Sequence, residues 1–135
     1  MMSDRLFVYG TLMRGYDHPM ARLLSSNAEF LGTASIPGRL YLMRHYPALV
    51  PSEDPDEHVH GEVFRLHRVD EVLAQLDDYE GCGPSDQRSE YRREISQVTL
   101  DGGTELDAFV YYFNWDVARL PRIVSGRFQP EAFSG

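Results

Sequence analysis

With one cysteine, Cys82, this 135-residue sequence has no means of closing an internal disulfide, so its core alone must hold the fold. Positive charge is in short supply: 13 Lys and Arg stand against 21 Asp and Glu, a formal net charge of −8. Nucleic acid is excluded as a partner on that balance, because neutralising phosphates takes clustered Lys and Arg. Even Tyr91-Arg92-Arg93, among the stretches richest in Arg, has acids beside it. Long apolar runs are missing, and none approaches the ~18 residues that span a bilayer. Met1-Met2-Ser3-Asp4-Arg5 lacks the charged-then-apolar layout of a secretory signal. These absences predict a cytoplasmic protein without a membrane partner. There is no GxSxG elbow for serine-hydrolase chemistry and no HExxH for a metalloprotease.

What is present is ordinary for a globular chain: 42% hydrophobic and 25% charged residues. A chain of this length buries roughly two-thirds of its unfolded surface, and one domain over residues 1–135 is expected, with a polar tail from 124 to 135. Strand patterns dominate. Arg5 to Tyr9 is a short β-favouring run ending at Gly10. Ala28 to Ile36 and Gly38 to Met43 flank the turn dipeptide Pro37-Gly38. In Val59 to Leu66, alternation puts Val59, Gly61 and Val63 on one face and His60, Glu62 and Phe64 on the other. Tyr91 to Leu100 and Leu106 to Phe113 flank Asp101-Gly102-Gly103, a hairpin signal. Short helices are expected from His18 to Ser25, with Pro19 in the first turn, and from Asp70 to Tyr79. The fold class is α+β, mainly β: a small mixed barrel of about six strands, closure being the economical way to protect strand edges.

Two places carry chemistry. In the second helix Val72, Leu73, Leu76 and Tyr79 make one stripe, and at ~100° per residue Glu80 falls within it while Asp78 points away. A carboxylate there meets the negative end of the helix dipole and partial burial, and both push its pKa toward values useful in general base chemistry. The alternative is a solvated Glu80 at a frayed helix end, paired with an Arg. After the first strand, Gly10-Thr11-Leu12-Met13-Arg14-Gly15 has the glycine spacing of a phosphate loop, but Tyr16-Asp17 stand where Lys and Ser or Thr are needed. What remains is a Gly-bearing turn whose backbone N–H groups face a carboxylate or a developing oxyanion, or else an ordinary strand-to-loop turn.

Phe7-Val8-Tyr9-Gly10-Thr11-Leu12 with Arg14-Gly15, followed in register by Leu76-Asp77-Asp78-Tyr79-Glu80-Gly81, resembles the paired signatures of the gamma-glutamylcyclotransferase-like, or AIG2-like, family. Weaker matches in Gly38-Arg39-Leu40-Tyr41, Tyr46-Pro47, His60-Gly61-Glu62-Val63-Phe64, Tyr91-Arg92-Arg93 and Ala108-Phe109-Val110-Tyr111 extend the resemblance over residues 5–113. The resemblance implies a small barrel around one cavity and an acyltransferase or lyase. Such an enzyme releases 5-oxoproline from a small γ-glutamyl amine or γ-glutamyl amino acid, with neither metal nor other cofactor. It makes Glu80 the catalytic acid and base, and gives Tyr9, Gly10, Thr11 and Leu12 to substrate binding. The first loop is nearest the γ-glutamylamine branch. Cys82-Gly83-Pro84-Ser85-Asp86 departs from relatives that place an aromatic residue after the glutamate.

Two rival expectations stand beside this one. His58, His60 and Glu62 share a strand face with His67 close by, a donor set suited to zinc. The same barrel also serves as a non-catalytic module binding a small molecule or a partner, since fold does not dictate function. Cys82 has no base placed beside it in sequence and is expected to be a spare thiol. Tyr111 is expected either to line the cavity or to pack in the barrel.

Overall fold

The computed structural model describes residues 4–9, 19–43, 46–54, 56–80, 91–114 and 116–126, the side chains of 19–21, 25, 43, 46 and 77–80 excepted. In chain order these form β1 (Arg5–Val8), α1 (Pro19–Asn27), β2 (Ala28–Pro37), β3 (Arg39–Met43), β4 (Tyr46–Val50), β5 (His58–Leu66), α2 (Val69–Glu80), β6 (Tyr91–Leu100) and β7 (Glu105–Phe113). Among the described residues no helix is long and apolar enough to cross a membrane.

Five strands close a barrel in the order β1-β5-β2-β6-β7, and β3 and β4 pair as a separate two-stranded sheet. The expected closure is there, with five staves where about six were anticipated. Neighbouring strands are antiparallel except at the seam, where β1 meets β7 in parallel with Leu6 beside Phe109. The long hairpin β6–β7 forms across Asp101-Gly102-Gly103 as the turn signal predicts, with Gly103 in the left-handed region at φ 96°.

Side chains divide between two buried clusters. Phe7, Ile36, Val59, Val63, Val98 and Val110, drawn from every stave, fill the barrel, with Leu40 and Leu49 closing it from the small sheet. On the other side Leu6, Val8, Phe64 and Leu66 pack with Leu24 of α1 and with Val72, Leu73 and Leu76 of α2. Burying such side chains contributes on the order of 1.5–3 kcal/mol each before conformational entropy is set against it. Both helices lie on this outer face, which explains why Phe64 is buried although alternation sets it opposite Val63. Tyr111 also packs here, 3% exposed.

β4 is an element that the strand patterns did not announce, because Pro47 argues against a central strand. The proline is tolerated since β4 has a single partner, β3, in its own sheet. The Pro47 carbonyl accepts a 2.8 Å hydrogen bond from the buried Tyr91 hydroxyl, which ties the small sheet to the barrel. The start of the expected tail is ordered as well. Leu42 N–H donates to Pro121 O, Ile123 N–H to Leu40 O and His60 N–H to Gly126 O.

Candidate active site

β1 is apolar on both faces, and its three residues from Leu6 to Val8 are buried. It delivers Tyr9, whose ring lies in the barrel-filling cluster, 6% exposed, and whose hydroxyl donates to the backbone carbonyl of Tyr111 on β7. The side chain of Tyr9 is thereby committed to holding the end of β1. The rest of the expected binding loop, Gly10, Thr11 and Leu12, lies outside the described residues.

The other half of the site is set by the turn from β5 into α2. His67 N–H donates to Asn27 O, Arg68 takes the left-handed conformation at φ 49°, and Val72 N–H closes the first helical bond onto Arg68 O. Asp70 and Glu71 then sit in the first turn, where the positive end of the helix dipole favours them. The chain doubles back so that Val72, Leu73 and Leu76 cover the outer face of β1 and β5. These are three members of the stripe the helical spacing predicts, and the side chain of the fourth, Tyr79, lies outside the described residues.

Lengths decide where α2 finishes. Its 12 residues rise about 18 Å, the run of five or six strand residues. Counted back along β5 from Leu66, that run ends near Gly61, and β5 at Glu62 pairs with Val8, the last residue of β1. From α2 the chain must also return to Tyr91, which lies opposite Phe113 at the end of β7. Because β7 parallels β1 with Leu6 beside Phe109, Phe113 sits at the barrel end where β1 finishes. A helix of this length lying antiparallel on β5 would finish near the barrel end where β1 exits. The helix closes at Glu80, whose side chain lies outside the described residues, as do Cys82 to Asp86 and Trp115.

Glu62 is a half-buried carboxylate paired across the ladder with Val8 and on the same face. The alternation pattern put it with His58 and His60 as a metal set. Among the described residues, however, no three His, Cys, Asp or Glu side chains converge closely enough to hold an ion. Strand geometry contributes to this: alternate residues stand about 7 Å apart along the strand.

A second feature escaped the sequence because its members are far apart in the chain. The Glu57 carboxylate, 11% exposed, accepts from Arg39 Nε at 2.8 Å and from Arg122 Nη2, and Ser52 Oγ donates to it at 2.6 Å. The bonds from Ser52, Arg39 and Arg122 hold the Glu57 pKa down to about 2.

With this geometry in place, the chain can be set beside known proteins. The family model for gamma-glutamyl cyclotransferase, AIG2-like, matches residues 6–130. A candidate gamma-glutamylcyclotransferase of Methanocaldococcus jannaschii is 26% identical over 110 residues, covering 82% of this chain and 84% of that one. The crystal structure of an AIG2-like protein from Mus musculus superposes with a TM-score of 0.72 at 26% identity, over 96% of this chain and 90% of the other. The solution structure of Escherichia coli ytfP, at 34% identity, covers 95% of this chain and 98% of its own, with a TM-score of 0.62. The fold, the order of the two signatures and the extent of the match agree: the chain belongs to the gamma-glutamyl cyclotransferase, AIG2-like family.

Proposed function

We propose that this protein cyclises a γ-glutamyl amine or γ-glutamyl amino acid to 5-oxoproline and the free amine, with Glu80 moving the protons and Tyr9 to Leu12 holding the substrate. The observation that carries the reading is the family match over residues 6–130, which takes in both the exit of β1 and the close of α2 at Glu80. These are the two segments that bear the family's signatures. The last turn of α2 contains Asp77, Asp78 and Glu80 and no base, so nothing in that turn offsets the dipole that opposes a carboxylate there.

In the proposed reaction Glu80 takes one proton from the substrate's α-ammonium, freeing its lone pair. The amine nitrogen then attacks the γ-carbonyl carbon and forms the ring C–N bond. Collapse of the tetrahedral species breaks the bond to the leaving amine, which receives the proton held by Glu80 and a second from the ring nitrogen. One of the three ammonium protons stays on the lactam. Since nucleophile and electrophile belong to one molecule, holding the chain curled supplies much of the rate. The loop amides of Gly10 to Leu12 are assigned to the α-carboxylate.

The test is release of 5-oxoproline by the purified protein from a panel of γ-glutamyl amines and γ-glutamyl amino acids. Turnover of at least one member is expected, with γ-glutamylamines preferred. Saturable binding of panel members without release of 5-oxoproline from any would favour the non-catalytic binding module.

A further inference from the structure

Segment 121–126 forms one wall of a cleft of about 190 Å³ whose other walls are β3 and the start of β5. That wall is fixed. Ile123 N–H donates to Leu40 O at 2.7 Å and His60 N–H to Gly126 O at 2.8 Å. Gly126 adopts φ +70°, and a Cβ there would stand 2.1 Å from His58 O, so the segment lies against β5 as closely as a backbone can. Arg39, Asp56, Glu57, His58, His60 and Arg122 supply its charged and imidazole side chains.

The charges in this cleft are arranged in a definite way. Glu57 holds both guanidinium groups, receiving Nε of Arg39 and Nη2 of Arg122, and is itself fixed by Ser52. A guanidinium carries five N–H donors. Arg39 spends Nε on Glu57, and Arg122 spends one Nη. Donor-bearing edges therefore remain on both, already oriented, so a ligand does not have to order them. Asp56 adds an exposed carboxylate to the same cleft. Two cations and two anions give no net charge to attract a phosphate dianion, and a simple carboxylate would leave Asp56 uncompensated.

We infer that this cleft binds a small zwitterion, the head group of an α-amino acid, with its carboxylate on the free edges of Arg39 and Arg122 and its ammonium toward Asp56. The volume suits the head group of an amino acid. The site uses none of the residues assigned to cyclisation, and its occupation is measured without turnover.

The experiment is calorimetric and NMR titration of the full chain with L-alanine, with propionate, which lacks its ammonium group, and with ethylammonium, which lacks its carboxylate. L-Alanine is expected to bind saturably and at least about fivefold more tightly than either single-charge compound, the modest factor reflecting half-exposed partners. Asp56→Asn removes only the charge of an exposed side chain and is expected to weaken L-alanine about fivefold while leaving propionate unchanged or tighter. Arg122→Gln is expected to weaken both. If Arg122→Gln loosens the 121–126 wall, seen as a lower melting temperature, the Asp56→Asn comparison decides. Absence of saturable L-alanine binding, propionate binding as tightly as L-alanine, or L-alanine binding untouched by Asp56→Asn would each overturn the inference.

Discussion

Gly61→Ala is the substitution through which the fold speaks most directly to the site. Gly61 is buried in β5, and a Cβ added there would lie 2.1 Å from Val8 O, 3.0 Å from Val8 C and 2.9 Å from Phe7 Cζ. Two of those three atoms are backbone at the very end of β1, so the clash cannot be relieved by turning a side chain. Either β1 or β5 must move by about an ångström, a relaxation of the kind that costs about 1–3 kcal/mol in a close-packed core. We place Gly61→Ala at the upper end, about 2–3 kcal/mol. With unfolding entropy near 2.1 cal/mol/K per residue, a domain of this size loses about 3.5 °C of Tm per kcal/mol, giving a fall of about 7–10 °C. Thermal melts followed by circular dichroism and calorimetry measure it, with Gly102→Ala as the control. At Gly102 an added Cβ meets nothing within 4 Å, and its melt is expected within about 2 °C of the native one. Because β1 carries the proposed binding loop, 5-oxoproline release by Gly61→Ala is expected to fall at least about tenfold at a temperature where the variant is folded. A Gly61→Ala melt indistinguishable from that of Gly102→Ala would refute the reasoning.

Two further substitutions test separate parts of the structure. Tyr9→Phe deletes the hydroxyl that donates to Tyr111 O and leaves a buried carbonyl short of a partner. The expected loss is about 1–2 kcal/mol, or about 4–7 °C by the same conversion, and an unchanged melt would show that the bond does not hold the end of β1. Glu57 has a folded pKa near 2 against an ordinary 4.5, so its contribution to stability is complete above pH 4.5. It is lost as pH falls from about 4.5 toward 2. Urea midpoints measured from pH 7 to pH 2 should show the gap between native protein and Glu57→Gln closing over that window, and a gap independent of pH would contradict the assigned network.

Local patterns carried much of the architecture. The stripe of Val72, Leu73 and Leu76 and the acids at Asp70 and Glu71 define α2 to within a residue at each end of the expected span. Asp101-Gly102-Gly103 between two β-branched and aromatic runs defines the β6–β7 hairpin, and Pro19 marks the start of α1. What escaped is what no local pattern encodes. The parallel seam between β1 and β7 joins residues about a hundred positions apart through the pairing of Leu6 with Phe109. Strand counting therefore could not tell five staves and a separate two-stranded sheet from about six staves. Pro47 masked β4, since sequence alone does not say that a strand will have only one partner. The same holds for the site. The two signatures are visible as sequence, and Tyr9 follows directly on β1, but its use as an anchor to Tyr111 depends on that seam. The network of Arg39, Glu57 and Arg122 is assembled by the wall at 121–126, in a stretch whose composition gave only weak signals.

The central claim is that Glu80 moves protons in a cyclisation that the rest of the pocket only positions. The measurement that reaches it most directly is a paired assay on Glu80→Gln: binding of the best γ-glutamyl substrate by calorimetry, and 5-oxoproline release from it. The account predicts binding within a few-fold of native, an unchanged melt, and release reduced by at least the 10²–10⁴-fold typical of losing a general acid–base group. Release at a rate near that of the native protein, from a variant that folds and binds, would contradict it.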